Sequence, residues 1–243
     1  MTLDFNDVAN YYDAMYVDAE GYQQECAQVR KLIELYGQTE GNTLLDIACG
    51  TGEQAAYLSE HFSVTGLDFS FQMLEIARRK VPKANFVQGD MFAFELGKKF
   101  DAAVNLYGSI GFAENLTQLK AGIQAVWNHL LPGGVFILTP WSTRETFQEG
   151  IFSSAHTTPK LSFCRMEVIR RRDENKAEVE MFHLLGKNMS VLQKHHTQTI
   201  TLFSEEEYHL SLSTSGFTLL ERLTPSQFRM GAFICRKPKD FTE

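Results

Sequence analysis

The segment Leu44-Leu45-Asp46-Ile47-Ala48-Cys49-Gly50-Thr51-Gly52 is an apolar run that ends in a glycine turn, and a second apolar run closes about one helix later on Gly66-Leu67-Asp68. Without a Cβ, Gly50 and Gly52 permit a sharp turn and let a ligand lie against bare backbone. Asp68, at the tip of the second strand, offers carboxylate oxygens to a pair of ribose hydroxyls. A dinucleotide fingerprint would read G-x-G-x-x-G and end in a glycine that admits a pyrophosphate to the helix N-terminus. Here the turn runs on as Gly52-Glu53-Gln54, which puts a negative charge where the phosphates would go. A cofactor with a ribose and no phosphate fits better.

S-adenosylmethionine (SAM) is such a cofactor, and Asp46 to Gly52 resembles motif I of the class I SAM-dependent methyltransferases. Further segments agree in order and spacing. Asp68 with Phe69, Ser70 and Met73 is similar to the family's ribose and adenine contacts, and Gly89-Asp90-Met91 to its acidic loop at the adenine amino group. Phe100-Asp101-Ala102-Ala103-Val104 and Leu131-Pro132-Gly133-Gly134 match the fourth strand and the turn before the fifth. The cofactor contacts this resemblance implies are Tyr22, Asp46, Ala48, Gly50, Gly52, Asp68, Phe69, Met73, Asp90, Met91 and Leu106.

The loop after the fourth strand narrows the acceptor. Asn105-Leu106-Tyr107-Gly108-Ser109 stands where nucleic-acid amino-methyltransferases carry an Asn/Asp-Pro-Pro-Tyr/Phe loop, and no Pro-Cys nucleophile occurs. A small molecule is therefore the expected acceptor. Over nearly its full length the chain resembles the nucleotide-linked aminosugar N-methyltransferases that make dimethylamino sugars of macrolides. That likeness is carried by Tyr12-Asp13, Tyr16 and Tyr22, by Gly97-Lys98-Lys99-Phe100, Ser109-Ile110-Gly111, Pro140-Trp141 and Glu145-Thr146-Phe147. It continues through Thr199 to Phe203, Glu207-Tyr208, Arg229, Gly231 and Phe233. It implies an acceptor pocket formed by Tyr12, Tyr16, Ser109, Trp141 and Arg229, with Arg229 a phosphate or carboxylate partner. Some members carry a histidine directly after Ser-Ile-Gly, where this chain has Phe112, and Ser142 replaces their second aromatic after Pro-Trp. Tyr16 is then the remaining polar candidate for a catalytic group, although an amine can lose its proton to water.

Alternating strand and helix patterns from Thr43 to Pro140 predict a parallel sheet with helices on both faces, and ligands at the carboxyl ends of its strands. Two helices precede it, broken around Asp18 to Gly21. Beyond Ser142 the runs Leu161 to Arg170, Lys176 to Leu185 and Lys194 to Leu202 alternate as antiparallel strands, with turns at Arg172 to Asn175 and near Lys187-Asn188. Ser204 then reads as an N-cap ahead of acidic first-turn residues. The expected fold is α/β: a Rossmann-like class I methyltransferase sheet, mostly parallel with an antiparallel edge, plus an inserted small antiparallel sheet. Its parts are a helical arm (1–36), the SAM-binding core (37–141), the inserted sheet over the acceptor site (142–202) and a C-terminal completion (203–243).

At 243 residues and a formal net charge of -7, the chain buries a substantial core and lacks the basic excess of a nucleic-acid surface. The run Arg170-Arg171-Arg172 meets Asp173-Glu174 at once and reads as a solvated turn. Four scattered cysteines have no metal-ligand spacing, and no apolar run is long enough to span a bilayer, so a reducing cytoplasm and no metal are expected. His183 and His195-His196 are read as surface or lid-packing residues. The expected partners are a small-molecule acceptor and a second copy of the chain, with neither nucleic acid nor membrane. An O- or other N-methyltransferase of an unrelated small metabolite, a nicotinamide-dependent oxidoreductase and a non-catalytic SAM-binding protein are the competing readings. The turn through Glu53 speaks against the oxidoreductase, and Phe112 motivates the non-catalytic reading.

Overall fold

The computed structural model describes residues 4–16, 18–157 and 161–239. In chain order its elements begin with helices α1 (Phe5–Met15) and α2 (Ala19–Tyr36). The alternating core follows as β1 (Thr43–Ile47), α3 (Glu53–Leu58), β2 (Ser63–Asp68), α4 (Phe71–Lys80), β3 (Asn85–Gln88), β4 (Phe100–Gly108), α5 (Leu116–His129) and β5 (Leu130–Pro140), with a short 3-10 turn at Ser109–Phe112. Four strands come next: β6 (Gly150–Thr157), β7 (Ser162–Arg171), β8 (Lys176–Lys187) and β9 (Ser190–Thr201). The chain closes with α6 (Glu205–Thr214), β10 (Thr218–Leu223) and β11 (Ala232–Arg236).

One sheet has the order β10-β11-β5-β4-β1-β2-β3. Its first five strands in sequence pair in parallel, whereas β11 runs antiparallel to both β5 and β10. Successive side chains of a strand point to opposite faces, and this sheet is covered on both. Leu45 and Ile47 meet α5 and α6 through Leu119, Ile123, Tyr208 and Leu212. Leu44 meets α2 and α3 on the other side through Val29, Leu32, Ala55 and Leu58. Capping places the helices as the sequence indicates. The Ser70 hydroxyl accepts from the Met73 N–H at 3.1 Å, and Ser204 and Glu207 form a reciprocal capping box at the start of α6.

A second sheet, β6-β7-β8-β9, is antiparallel throughout. Its inner face carries Phe163 and Leu185, which pack with Val8, Tyr11 and Met15 of α1 and with Met73 of α4. The arm is thus held between the inserted sheet and the core. Three elements differ from the sequence expectation. Strand β6 was not foreseen: it pairs only with β7, and Gly-Ile-Phe-Ser-Ser-Ala-His-Thr, mostly exposed, lacks the alternation that marks a half-buried strand. Strand β9 starts at Ser190 rather than Lys194, because β8 and β9 stay in register down to Lys187 and Ser190. Strand β5 begins at Leu130, ahead of the Leu131-Pro132-Gly133-Gly134 turn, with an irregular register against β4.

Candidate active site

The glycine turn is built from backbone that few residues adopt. Ala48, Gly50 and Gly52 all have positive φ, at 58°, 54° and 77°. A Cβ on Gly52 would stand 3.1 Å from the Ala77 Cβ, so the turn lies tight on α4. Asp68 holds the turn from the next strand: one oxygen accepts the Gly50 N–H and the other the Ser70 N–H, both at 2.8 Å. Each oxygen still has a lone pair for a ligand hydroxyl. Glu53 is not the bare charge its sequence position suggests. Lys80 pairs with Glu53 at 2.5 Å and with Asp13 of α1 at 2.8 Å, and the Thr51 hydroxyl donates to Asp13. One lysine of α4 therefore joins the arm to the cofactor turn.

A cavity of about 280 Å³ opens at the carboxyl ends of β1 and β4. Phe5, Tyr12, Asp13, Met15, Tyr16, Asp18 and Tyr22 of the arm line it on one side, and Asp46, Ala48, Gly50, Thr51 and Glu53 on another. Leu106, Tyr107, Ser109, Phe112, Trp141, Gln198 and Ile200 form much of the remaining wall, with Cys49, Gln54 and Met230 beside them. Among the residues expected at the site, the structure brings Tyr12, Tyr16, Tyr22, Asp46, Ala48, Gly50, Leu106, Ser109 and Trp141 onto this cavity. Tyr12 lies over the turn, with its Cε1 3.9 Å from where a Gly50 Cβ would stand. Gly108, at φ 72°, abuts the Trp141 backbone, where a Cβ would overlap it. That close approach aims both Ser109 and Trp141 at the cavity.

The other expected residues lie around it. Gly52 and Asp68 form the second layer of the turn. Met73 is buried beneath α1, while Phe69 is exposed. Asp90 accepts from the Phe92 N–H at 2.9 Å in a local turn, and Met91 packs partly buried against the core. Arg229, expected on the acceptor, is not among the residues lining this cavity; it pairs with Asp18 at 2.7 Å and lies over the rings of Tyr107 and Tyr22. It braces the arm near its break. His183, expected on the surface or in lid packing, is fully buried among Tyr11, Phe163 and His196, and both its ring nitrogens lack partners. His195 is exposed and pairs with Glu180. Arg170 is paired too, with Glu178 and Glu180. No group of three or more metal-ligating side chains occurs among the described residues.

Electrostatics sets what these groups can do. Burial, with the nearby charge of Glu167, pushes the Tyr16 hydroxyl up to about 12, so at neutral pH it stays protonated. Burial, reinforced by Asp68 and Glu25, pushes the Asp46 carboxyl up to about 7, and its Oδ2 has no partner. Glu25 of α2 was not foreseen. It is 5% exposed, has an unpartnered Oε2, and is also pushed up to about 7 by burial, against the pull of Arg229. Gln198 and Ile200 were missed as well, since their alternation marks only a strand; the fold alone brings β9 to the cavity.

A doubly wound sheet of this order, with a left-handed glycine turn after β1 and an acid ending β2, defines a class I SAM-dependent methyltransferase. The residues present fit the cofactor. The lining includes Asp13, Asp18, Asp46 and Glu53 and no lysine or arginine, Asp46 offers an orphaned oxygen, and bare backbone at Gly50 faces the cavity. That is a setting for a sulfonium and an ammonium group. The methyltransferase domain model matches residues 44–134. A dTDP-3-amino-3,4,6-trideoxy-alpha-D-glucopyranose N,N-dimethyltransferase of Streptomyces venezuelae is 32% identical, over 94% of this chain and 97% of that one. The crystal structure of Streptomyces venezuelae DesVI superposes with a TM-score of 0.87 at 30% identity, covering 98% of this chain and 100% of that one. SAM-bound CalS10 of Micromonospora echinaspora, described as an amino pentose methyltransferase, gives 0.83 at 26% identity, covering 98% and 99%. The chain belongs to the family of these sugar N-methyltransferases and is a SAM-dependent enzyme.

Proposed function

We propose that this enzyme methylates the amino group of a sugar nucleotide. The observation that carries the reading is the cavity itself, where the cofactor turn, the aromatic arm and Trp141 meet beneath the inserted sheet, in a lining rich in carboxylates and free of lysine and arginine. SAM supplies an activated methyl group on a sulfonium. Transfer to a neutral amine moves a positive charge from sulfur to nitrogen without removing it from the cavity, so the Asp46 carboxyl, whose Oδ2 has no partner, serves the site before and after the reaction, whereas Asp13, Asp18 and Glu53 are already paired with Lys80 or Arg229. The protein's part is to hold the nitrogen in line with the methyl carbon, where orientation alone supplies effective molarities of about 10⁵ M or more. Tyr12, Tyr16, Ser109 and Trp141 are the side chains that would shape the acceptor end, Tyr16 through a neutral hydroxyl. Arg229 would act by bracing the arm.

Incubation with SAM and a panel of TDP-linked amino sugars, followed by mass spectrometry, tests the reading. A gain of one or two methyl groups on the sugar with matching S-adenosylhomocysteine is expected. Turnover confined to hydroxyl, carboxyl or thiol acceptors would refute the amine assignment, and SAM binding with no product from any acceptor would favour a non-catalytic role. No helix among the described residues is long and apolar enough to cross a membrane. A cytoplasmic site of action and a homodimer are part of the proposal. Ile151, Met166, Leu184 and Val191 stand exposed on the outer face of the inserted sheet, beside the paired charges of Arg170, Glu178, Glu180 and His195, a mixed face that a second copy would cover. Sedimentation of the wild type against Met166→Glu tests the dimer, and a wild-type monomer would refute it.

A further inference from the structure

The cavity wall beneath the inserted sheet is mostly apolar: Phe112, Trp141 and Ile200 line it and pack with Val179 and Met181. Gln198 is the exception on that sheet. It stands opposite Val179 on the inner face of β9, two residues from Ile200, and its side chain lines the cavity. Its Oε1 is buried with no hydrogen-bond partner. A buried amide oxygen left unpaired costs about 1–3 kcal/mol, so it marks a place where a ligand donor is due. The wall it belongs to carries no carboxylate, since Asp13, Asp18, Asp46 and Glu53 all come from the arm and the cofactor turn.

We propose that Gln198 is the acceptor-orienting residue, its Oε1 accepting an N–H of the acceptor amine so that the nitrogen lone pair faces the methyl group. The proposal rests on the amine reading of the site. In the step it serves, the lone pair forms the new N–C bond while the C–S bond breaks and its electrons pass to sulfur. The surplus proton then leaves the nitrogen for water. An amide has no basic site at neutral pH, so Gln198 orients and does not take that proton. After the first methylation a secondary amine keeps one N–H for the same oxygen, and after the second none is left. The site thus holds the substrates of both steps and releases the tertiary amine.

Gln198→Leu keeps the approximate volume and removes the acceptor, while Gln198→Glu keeps an accepting oxygen and removes the donor. With an acceptor that the wild type methylates, Gln198→Leu should lower kcat roughly tenfold, the loss of about one hydrogen bond. Its SAM dissociation constant, measured by calorimetry, should stay at the wild-type value. Gln198→Glu should recover most of the lost turnover. Unchanged kcat in Gln198→Leu would overturn the proposal, as would a loss confined to SAM affinity, or a Gln198→Glu variant as slow as Gln198→Leu. A wild type that methylates no amine at all would instead refute the amine reading, so the two failures are distinguishable.

Discussion

Asp46→Asn offers the sharpest test of the cavity's electrostatics, because it removes a charge and almost no volume. Asp46 is 3% exposed, and burial with the charges of Asp68 and Glu25 raises its carboxyl from 3.8 to about 7. A carboxyl raised in the folded state contributes stability in full below its unfolded value, and that contribution is lost as pH climbs through the folded one. The shift of roughly three pH units corresponds to about 4 kcal/mol, of which about 3 falls between about pH 5 and about pH 8. For a chain of this length that is a fall in Tm of about 5–10 °C for the unliganded enzyme. Asparagine cannot ionise, so thermal unfolding in buffers of matched ionic strength should show a flatter pH dependence by that amount and a higher Tm than wild type at about pH 8. With SAM present the order should reverse, because the cofactor's positive charge stabilises the carboxylate it meets. Parallel pH curves for the two unliganded proteins would refute the reasoning, and so would an undiminished SAM-induced rise in Tm for Asp46→Asn.

Three further substitutions probe the surroundings, one of them against a control. Gly108→Ala combines a left-handed backbone with overlap on Trp141 and should cost about 3 kcal/mol or more in urea unfolding. Its control Gly97→Ala, at φ 65° with open space around it, should cost only about 1 kcal/mol. Lys80→Met leaves Asp13 and Glu53 without their shared partner, and hydrogen exchange in α1 should rise several-fold while the β4 and β5 amides keep their protection. Burial, with His196 and Arg165, lowers the His183 imidazole from 6.5 to about 4, so the stability tied to it is present above its unfolded value and lost as pH falls toward 4. His183→Phe should remove about 3 kcal/mol of that acid sensitivity, read as a flatter Tm profile below about pH 6.

The succession of strands and helices along the core, the glycine turn and the acid at the end of β2 were legible because each is local. Apolar runs bounded by Gly50 and Gly66, and the Ser204 cap with Glu207 three residues on, fix backbone conformation within a few residues. Strand β6 was not legible, since an exposed edge strand needs no inward alternation and is defined by its partner β7. The setting of Arg229 was not legible for a related reason. An arginine's charge is the same in any sequence, and only the fold sets Asp18 at 2.7 Å from it.

The sequence by itself indicated the cofactor class, because the tight turn through Gly50 and Gly52 leaves bare backbone for a ligand and lacks the third glycine of a dinucleotide fingerprint. It also determined that an antiparallel insertion follows the core. The tertiary structure alone decided which side chains share the cavity: residues from the arm, β4, Trp141 and β9 converge there from distant positions in the chain. It decided protonation too. Asp46 and Glu25 are ordinary carboxyls in sequence, and only burial, with Asp68 and Glu25 near the first and Asp18 near the second, raises them into the neutral range. Spacing along a chain sets local geometry, whereas desolvation and unmet hydrogen bonds arise only when segments far apart are packed together.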